Sequence, residues 1–438
     1  MLEELDLDEE PLPNPAYPPA MGQGAVFFGG TDPGRFVPTY MIYSAKVRED
    51  VFLITQNALA DNTYMSVMRD LYGDSIWIPT PDDSAQAFQI YVDEVQSGKR
   101  PRNAELVIEG GRVQVSGALG VMEINGILCR MIFEHNQARH DFYIEESYVI
   151  PWMYPYLTPH GLIMKINPAK TELAPDNVRD DMDFWDWYMR RLSRDRRYRR
   201  DVVARKSFSK LRGAIGGLYA SRGMLSEAER AFQEARMLYP VSPEANFRLV
   251  QEVFLRQRRY DEALDVIDLF IEADPNNDRG PTFRQYIQGI RDTEVRIREL
   301  TARVPAGQKP DVATSIELAR AYRDLGNTDL AARLLLPHLE RPGLTVREAY
   351  DLALMLSDLN AHAGAVKAMD VVVSNLPENA PPELLLSAAR LYAAARQPGK
   401  MTGPLSRYLQ LRPDDWQGWM DLATLYVVQQ DPARAQTA

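Results

Sequence analysis

In the second half of the chain, apolar residues recur on two scales. Within each stretch they return every three or four positions, the period of a helix buried along one face. On the longer scale the pattern returns at about 34 residues, small residues marking where two helices touch and large ones filling the pair. Ile215, Gly216, Tyr219 and Gly223 form a first helix, Ala228, Phe232 and Ala235 a second, and Pro240 closes the unit. The next unit shows Ala263, Ile267, Phe270 and Pro275, one residue out of register. Leu318, Ala319, Tyr322, Gly326, Ala331 and Leu335 make a third; Leu352, Ala353, Ala365, Met369, Val372 and Pro377 a fourth. Ala389, Tyr392, Leu405 and Pro413 are a weaker fifth. Trp419, Leu422, Ala423, Tyr426 and Ala435 begin a sixth that stops inside its second helix without a polar cap, so the expectation is either that the natural protein continues past Ala438 or that the last helix is frayed. Pro281 to Arg303 interrupts the count as one long helix with an imperfect apolar stripe, read as a degenerate repeat in the stack rather than a bridge or dimer seam.

Upstream the texture differs. Short apolar runs alternate with helical stretches, the pattern of an α/β unit. Strands are expected at Ala25–Phe28, Val51–Ile54, Ile76–Ile78, Arg112–Val115, Asp141–Glu145 and Leu162–Ile166, the last paired antiparallel. Helices are expected at Phe36–Ser44, Asp61–Tyr72, Ser84–Val95 and Gly120–Glu134. Residues 1–24, acidic and then proline-rich, read as a tail or linker, because prolines at 11, 13, 15, 18 and 19 exclude a helix or central strand. The expected division is therefore 1–24 linker, 25–167 small α/β domain, 168–208 linker and basic helix, and 209–438 repeat solenoid. Asp180 to Arg212 reads as one helix. The fold class is an α/β N-terminal domain plus an all-α tetratricopeptide-repeat superhelix.

Composition narrows the function. With 438 residues, 45% of them hydrophobic, the chain can build two or three ordinary cores. No run of apolar residues is long enough to span a membrane, and the acidic start lacks the features of a signal peptide. A net charge of −11 argues against nucleic acid as a partner of the whole chain. The single cysteine, Cys129, excludes an internal disulfide or a cysteine-based zinc cluster and reads as a buried small hydrophobe.

Four segments carry a resemblance. Gly29-Gly30-Thr31-Asp32-Pro33-Gly34-Arg35-Phe36 follows an apolar strand. Ala60-Asp61-Asn62-Thr63-Tyr64, Leu71-Tyr72-Gly73-Asp74 and Tyr148-Val149-Ile150-Pro151-Trp152-Met153-Tyr154-Pro155-Tyr156 complete the set. Together they resemble a bacterial family of large membrane proteins similar to protein O-mannosyltransferases, of the glycosyltransferase C type. In that family a multi-span membrane half precedes a soluble α/β region, and some members carry tetratricopeptide repeats after it. The membrane half, with the acidic residues such transferases use, has no counterpart here, so no catalytic residue carries over. The resemblance implies a soluble, extracytoplasmic accessory region attached to membrane spans. A cytoplasmic adaptor is the expectation if the chain is complete as given.

The candidate chemistry is sparse. The loop Gly29 to Arg35 joins a strand to a helix, a place where backbone amides are free to bind an anion. Thr31, Asp32 and Arg35 are its candidate ligand residues for a sugar or sugar phosphate, and the plainer reading is a tight turn with Thr31 or Asp32 as helix cap. Neither a dinucleotide nor a nucleotide fingerprint is met. Glu134, His135, His140, Asp141, Glu145 and Glu146 cluster in sequence but read as a solvated turn, so neither a metal, a cofactor nor a catalytic residue is assigned. Arginines crowd residues 190–212, and Arg196, Arg197, Arg199 and Arg200 are the candidate contacts to an anionic membrane surface or other anionic partner. The plainer reading there is a solvated face neutralised by Asp176, Asp180, Asp181, Asp183 and Asp186, or by the acidic tail. A protein partner held by the repeats is the principal expectation, with the oligomeric state left open.

Overall fold

The computed structural model describes residues 10–29, 36–100, 106–109, 112–115, 118–145, 150–377 and 379–437. Two compact units divide the chain, residues 1–284 and 285–438. The α/β fold class and the repeated helix pairs are both present.

In the first unit β1 (Val26–Gly29) runs parallel to β2 (Phe52–Thr55) on one side and to β5 (Phe142–Glu145) on the other. Antiparallel β7 (Ile163–Ile166) and edge strand β6 (Leu157–His160) complete the order β2-β1-β5-β7-β6. Every residue of β1 is buried, because a central parallel strand is covered on both faces; it therefore reads as an unbroken apolar run. α1 (Phe36–Thr39) continues as a π turn to Ser44, followed by α2 (Asn62–Tyr72), α3 (Pro81–Gln96) and α4 (Ala118–Asn136). α3 starts three residues before the expected Ser84 because Thr80 and Asp83 form a reciprocal capping box around Pro81.

Three differences from the sequence reading have clear causes. Ile76–Ile78 is not a strand: the Trp77 amide donates to Asn136 Oδ1 (2.8 Å) and its carbonyl accepts from Asn136 Nδ2 (2.9 Å), so a side chain replaces the ladder. β6 is a strand although Pro159 argues against one, and the proline is tolerated because it lies on the edge of this sheet. β3 (Leu106–Glu109) pairs antiparallel with β4 (Arg112–Val115) as a separate hairpin, for which the intervening Gly110-Gly111 was the available signal.

The expected single helix from Asp180 to Arg212 is three: α5 (Pro175–Arg194), α6 (Arg196–Arg200) and α7 (Val202–Ser221). Asp195 and Asp201 take extended backbone and each caps the next helix, Asp195 accepting from the amides of Arg197 and Tyr198 and Asp201 from that of Ala204. α7 pairs with α8 (Leu225–Leu238). α9 (Pro243–Arg248), extended by a π turn through Phe254, pairs with α10 (Tyr260–Ala273). α11 (Arg279–Ala302) begins in this unit and ends in the next.

The second unit holds α12 (Val312–Asp324) with α13 (Thr328–Leu335), α14 (Val346–Asp358) with α15 (His362–Ser374), α16 (Pro382–Ala394) with α17 (Pro398–Leu411), and α18 (Trp416–Val428) with α19 (Pro432–Thr437). Its main core runs from Val312 to Tyr392 and is built from small and aliphatic side chains, Ala349, Leu352, Ala353, Leu356, Ala365 and Met369 among them. Each pair turns on one residue of positive φ: Gly223, Arg258, Gly326, Asn360, Arg396 and Gln430. Their intervals are 35, 68, 34, 36 and 34 residues. The doubled interval contains α11, which thus takes up one repeat length; Asp292, at the position of the missing turn, lies within the helix. Without a left-handed residue there the chain continues straight.

Candidate functional site

The repeat turns supply a common register for the first helix of each pair. Six residues before each turn residue stand Gly217, Glu252, Arg320, Leu354, Arg390 and Thr424. In the second unit these side chains are open: Arg320, Arg390 and Thr424 are exposed, and Leu354 is 41% exposed. Met420 and Trp416, further back on α18, are exposed as well. These positions form the accessible face of helices that bury their other side in the pair.

In the first unit the same positions are closed by the chain itself. α7 lies against β6 and β7. Arg222 Nη2 donates to the carbonyls of Tyr154 (2.8 Å) and Thr171 (2.9 Å). The Arg248 guanidinium covers the Phe232 ring at 5.3 Å, pairs with Glu252 (2.7 Å) and Glu244 (3.5 Å), and donates a hydrogen bond to the Tyr154 hydroxyl. It needs Gly217, since a Cβ there would overlap its Nη2. Burial pulls this guanidinium down, and Glu252, Tyr154 and Glu244 together more than restore it; burial raises the Tyr154 phenol. Tyr154 belongs to the tyrosine- and tryptophan-rich segment singled out in the sequence, whose role here is to seat the sheet on the repeats.

A second feature of this unit went unseen in the sequence. Arg212, counted there among the surface arginines, is fully buried. Its Nη1 donates to Asp181 Oδ2 (2.8 Å) and its Nε to Glu234 Oε2 (2.6 Å), while Trp185 lies beneath the guanidinium at 5.1 Å. Tyr219 also donates to Asp181 Oδ2, at 2.7 Å. Burial pushes the Asp181 carboxyl above its ordinary range, against the lowering by Arg212 and Tyr219. Asp181, read as a neutralising surface charge, is likewise buried, and the cluster bolts α5 to the first pair. The available signal was register: Arg212 stands eleven residues before its turn residue, as do the buried Phe247, Ser315, Ala349 and Leu385.

Arg196, Arg197, Arg199 and Arg200 lie on α6 and are exposed; Arg197 pairs with Asp195 at 3.2 Å. The acidic tail does reach this region: Glu10 holds Arg190 (2.6 Å) and Arg194 (3.7 Å). Thr31, Asp32 and Arg35 lie outside the described residues, as does Glu146. Gly29, where their loop departs, is in register with Thr55 and Glu145 at the carboxyl ends of three parallel strands, and just beyond β2 Asn125 donates to the Asn57 carbonyl at 3.0 Å. That edge is where open α/β sheets hold ligands. The remaining acid and histidine residues are dispersed. His135 stacks on Trp77 at 3.8 Å, His140 bonds the Gly24 carbonyl at 2.7 Å, Glu134 pairs with Arg130 and Asp141 with Lys165. Among the described residues no three His, Cys, Asp or Glu side chains are grouped to hold a metal ion. Cys129 is buried and its thiol raised by that burial.

Among the described residues no helix is long and apolar enough to cross a membrane. No curated protein matches the sequence. Solved structures with similar helix pairs include the MamA protein (13% identity, 42% of this chain and 81% of that one, TM-score 0.23). YrrB, described as a TPR protein with an unusual peptide-binding site, is 14% identical over 50% of this chain and 91% of its own, TM-score 0.20. Pseudomonas aeruginosa pilF is 16% identical over 48% and 94%, TM-score 0.21. The sequence profile of the tetratricopeptide repeat matches residues 215–278, and the chain carries repeats of that type.

Proposed function

We propose that this chain is a non-catalytic scaffold that holds an extended segment of a partner polypeptide on the open helix faces of residues 312–428. One observation carries the reading: the register positions closed at Gly217 and Glu252 are open at Arg320, Leu354, Arg390 and Thr424. An apolar side chain between two arginines favours a peptide with an aliphatic anchor flanked by acids or free carbonyls. The test is peptide display against the full chain, followed by titration of selected peptides with Arg320→Glu, Leu354→Glu and Arg390→Glu combined. Loss of binding is expected; peptides that bind the triple variant as well as the parent overturn the reading.

The setting we infer is the soluble region of a glycosyltransferase-like membrane protein, supported by the four segments of residues 25–167 quoted above. A gene that encodes no membrane spans upstream of Met1 would refute that setting and leave the scaffold reading intact. A second reading is sugar or sugar-phosphate binding at the carboxyl edge of β1, favoured by the position of Gly29 between two parallel neighbours. Calorimetric titration with sugar phosphates against an Asp32→Ala, Arg35→Ala variant decides it, with equal heats for both proteins as the refuting result.

A further inference from the structure

In the first unit the end of α5, α6, the start of α7 and the end of α8 line a groove of about 660 Å³. Its floor and lip are apolar: Met189, Leu238 and Met237, the last 65% exposed. Its acids are already committed, Glu234 to Arg212 and Arg230 and Asp186 to Arg230 at 2.7 Å. Its arginines are less so. Arg199 is exposed and has no ion-pair partner among the described residues, and Arg205 donates to the Leu238 carbonyl (3.2 Å) and lies over the Tyr239 ring (6.0 Å), with no ion-pair partner among the described residues. The groove is therefore positive over an apolar floor.

Two further observations point to what fits there. Tyr198 lines the groove, and its hydroxyl is buried with no hydrogen-bond partner among the described residues. Burial pushes this phenol up to about 12, so it remains a proton donor at neutral pH. An unmade hydrogen bond of this kind is costly, and a carboxylate oxygen would satisfy it strongly. The chain also displays the mode of engagement at the rim. Glu10 sets its carboxylate on Arg190 Nε (3.1 Å) and Nη2 (2.6 Å), and its main-chain carbonyl accepts from Trp187 Nε1 at 2.7 Å. Arg190 lines the groove as well.

We propose that this groove is a receptor for an acidic, aliphatic-bearing peptide segment of a partner protein. Its carboxylates pair with Arg199 and Arg205 and accept from Tyr198, and one aliphatic side chain lies between Met189 and Met237. The site is independent of the repeat face. A bilayer is the less fitting partner, because a flat anionic surface meets the outward Arg196 and Arg200 and does not reach an enclosed floor.

The experiment is fluorescence anisotropy of the full chain with a labelled peptide of alternating glutamate and leucine. A glutamine-and-leucine peptide and vesicles containing phosphatidylserine serve as the other arms. Saturable binding of the acidic peptide alone is expected. Arg199→Glu with Arg205→Glu should weaken it at least about tenfold, and Tyr198→Phe by about ten- to hundredfold, the scale of one hydrogen bond to a charged group. Met237→Glu should weaken it too, whereas Arg196→Glu with Arg200→Glu should leave it within about twofold. Thermal melts confirm that each variant folds, and the single Arg199→Glu serves if the double variant does not. Equal binding by the arginine variants, or binding to vesicles that depends on Arg196 and Arg200 and displaces the peptide, overturns the proposal. So does peptide binding that arises only after residues 1–9 are removed, which would make the chain's own acidic start the occupant.

Discussion

The pair α7/α8 and the pair α14/α15 are built on one register, yet they are held together differently. At the position eleven residues before the turn, the first has Arg212 and the second Ala349, both fully buried. Around Ala349 the core is apolar, with Gly364 placed where a Cβ would press on a Leu336 methyl at 2.7 Å. Around Arg212 it is ionic: Glu234 of α8 pairs with it within the pair, while Asp181 and Trp185 reach it from α5, outside the pair. Apolar stacking joins any repeat to any similar neighbour. A buried guanidinium accepts only the neighbour that brings the matching carboxylate, so the first pair is fixed to one particular preceding helix.

The largest effect expected from breaking this comparison is at Arg212. Arg212→Met leaves the Asp181 carboxylate buried without a counter-charge, Glu234 keeping only Arg230, and should cost about 3–5 kcal/mol, read from urea unfolding. Replacing Arg212, Asp181 and Glu234 together by apolar residues should restore most of that. A neutral single variant would show that the cluster does not hold the pair.

The next effect separates the closed register position from the open one. Gly217→Leu displaces Arg248 and with it the Tyr154 contact, at about 1–3 kcal/mol, and should speed hydrogen exchange in β6 and β7. Arg320→Leu, at the equivalent exposed position, should stay within about 0.5 kcal/mol. Similar losses at both positions would contradict the difference between the two regions.

The smallest effect concerns the turns. Arg396 has φ +56° and Gly326 φ +78°, the left-handed region that costs a side-chain-bearing residue about 1 kcal/mol. Arg396→Gly should therefore stabilise by about 0.5–1 kcal/mol and Gly326→Ala destabilise by about 1 kcal/mol in thermal melts. Equal and opposite behaviour is the point, and a destabilising Arg396→Gly would contradict the assigned turn.

Much of the fold was legible because it is local. Apolar periodicity placed α2, α4, β1 and β5 within two residues of where they lie, since each element's burial leaves its own period. What was misplaced depended on a distant partner. The Trp77 segment lost its strand to Asn136, and β6 kept its strand despite Pro159 because it lies on a sheet edge. The candidate site was legible only in part. Repeat spacing pointed to a binding face, but which units are open depends on Tyr154, Arg222 and Arg248 meeting across the fold. The arginine-rich run was visible as charge, and only packing divided it into Arg212 inside and Arg199 outside.

The sequence by itself thus determined that helix pairs come after a strand-containing domain, because the small and large positions of each repeat and the apolar strands are written within a few residues of one another. Only the tertiary structure decided which repeat faces are covered, which arginine is core and which lines a groove. Repeat register marks the Arg212 position as core, but burial of a charge or a face is set by what approaches from elsewhere in the chain, here the carboxylates of α5 and α8.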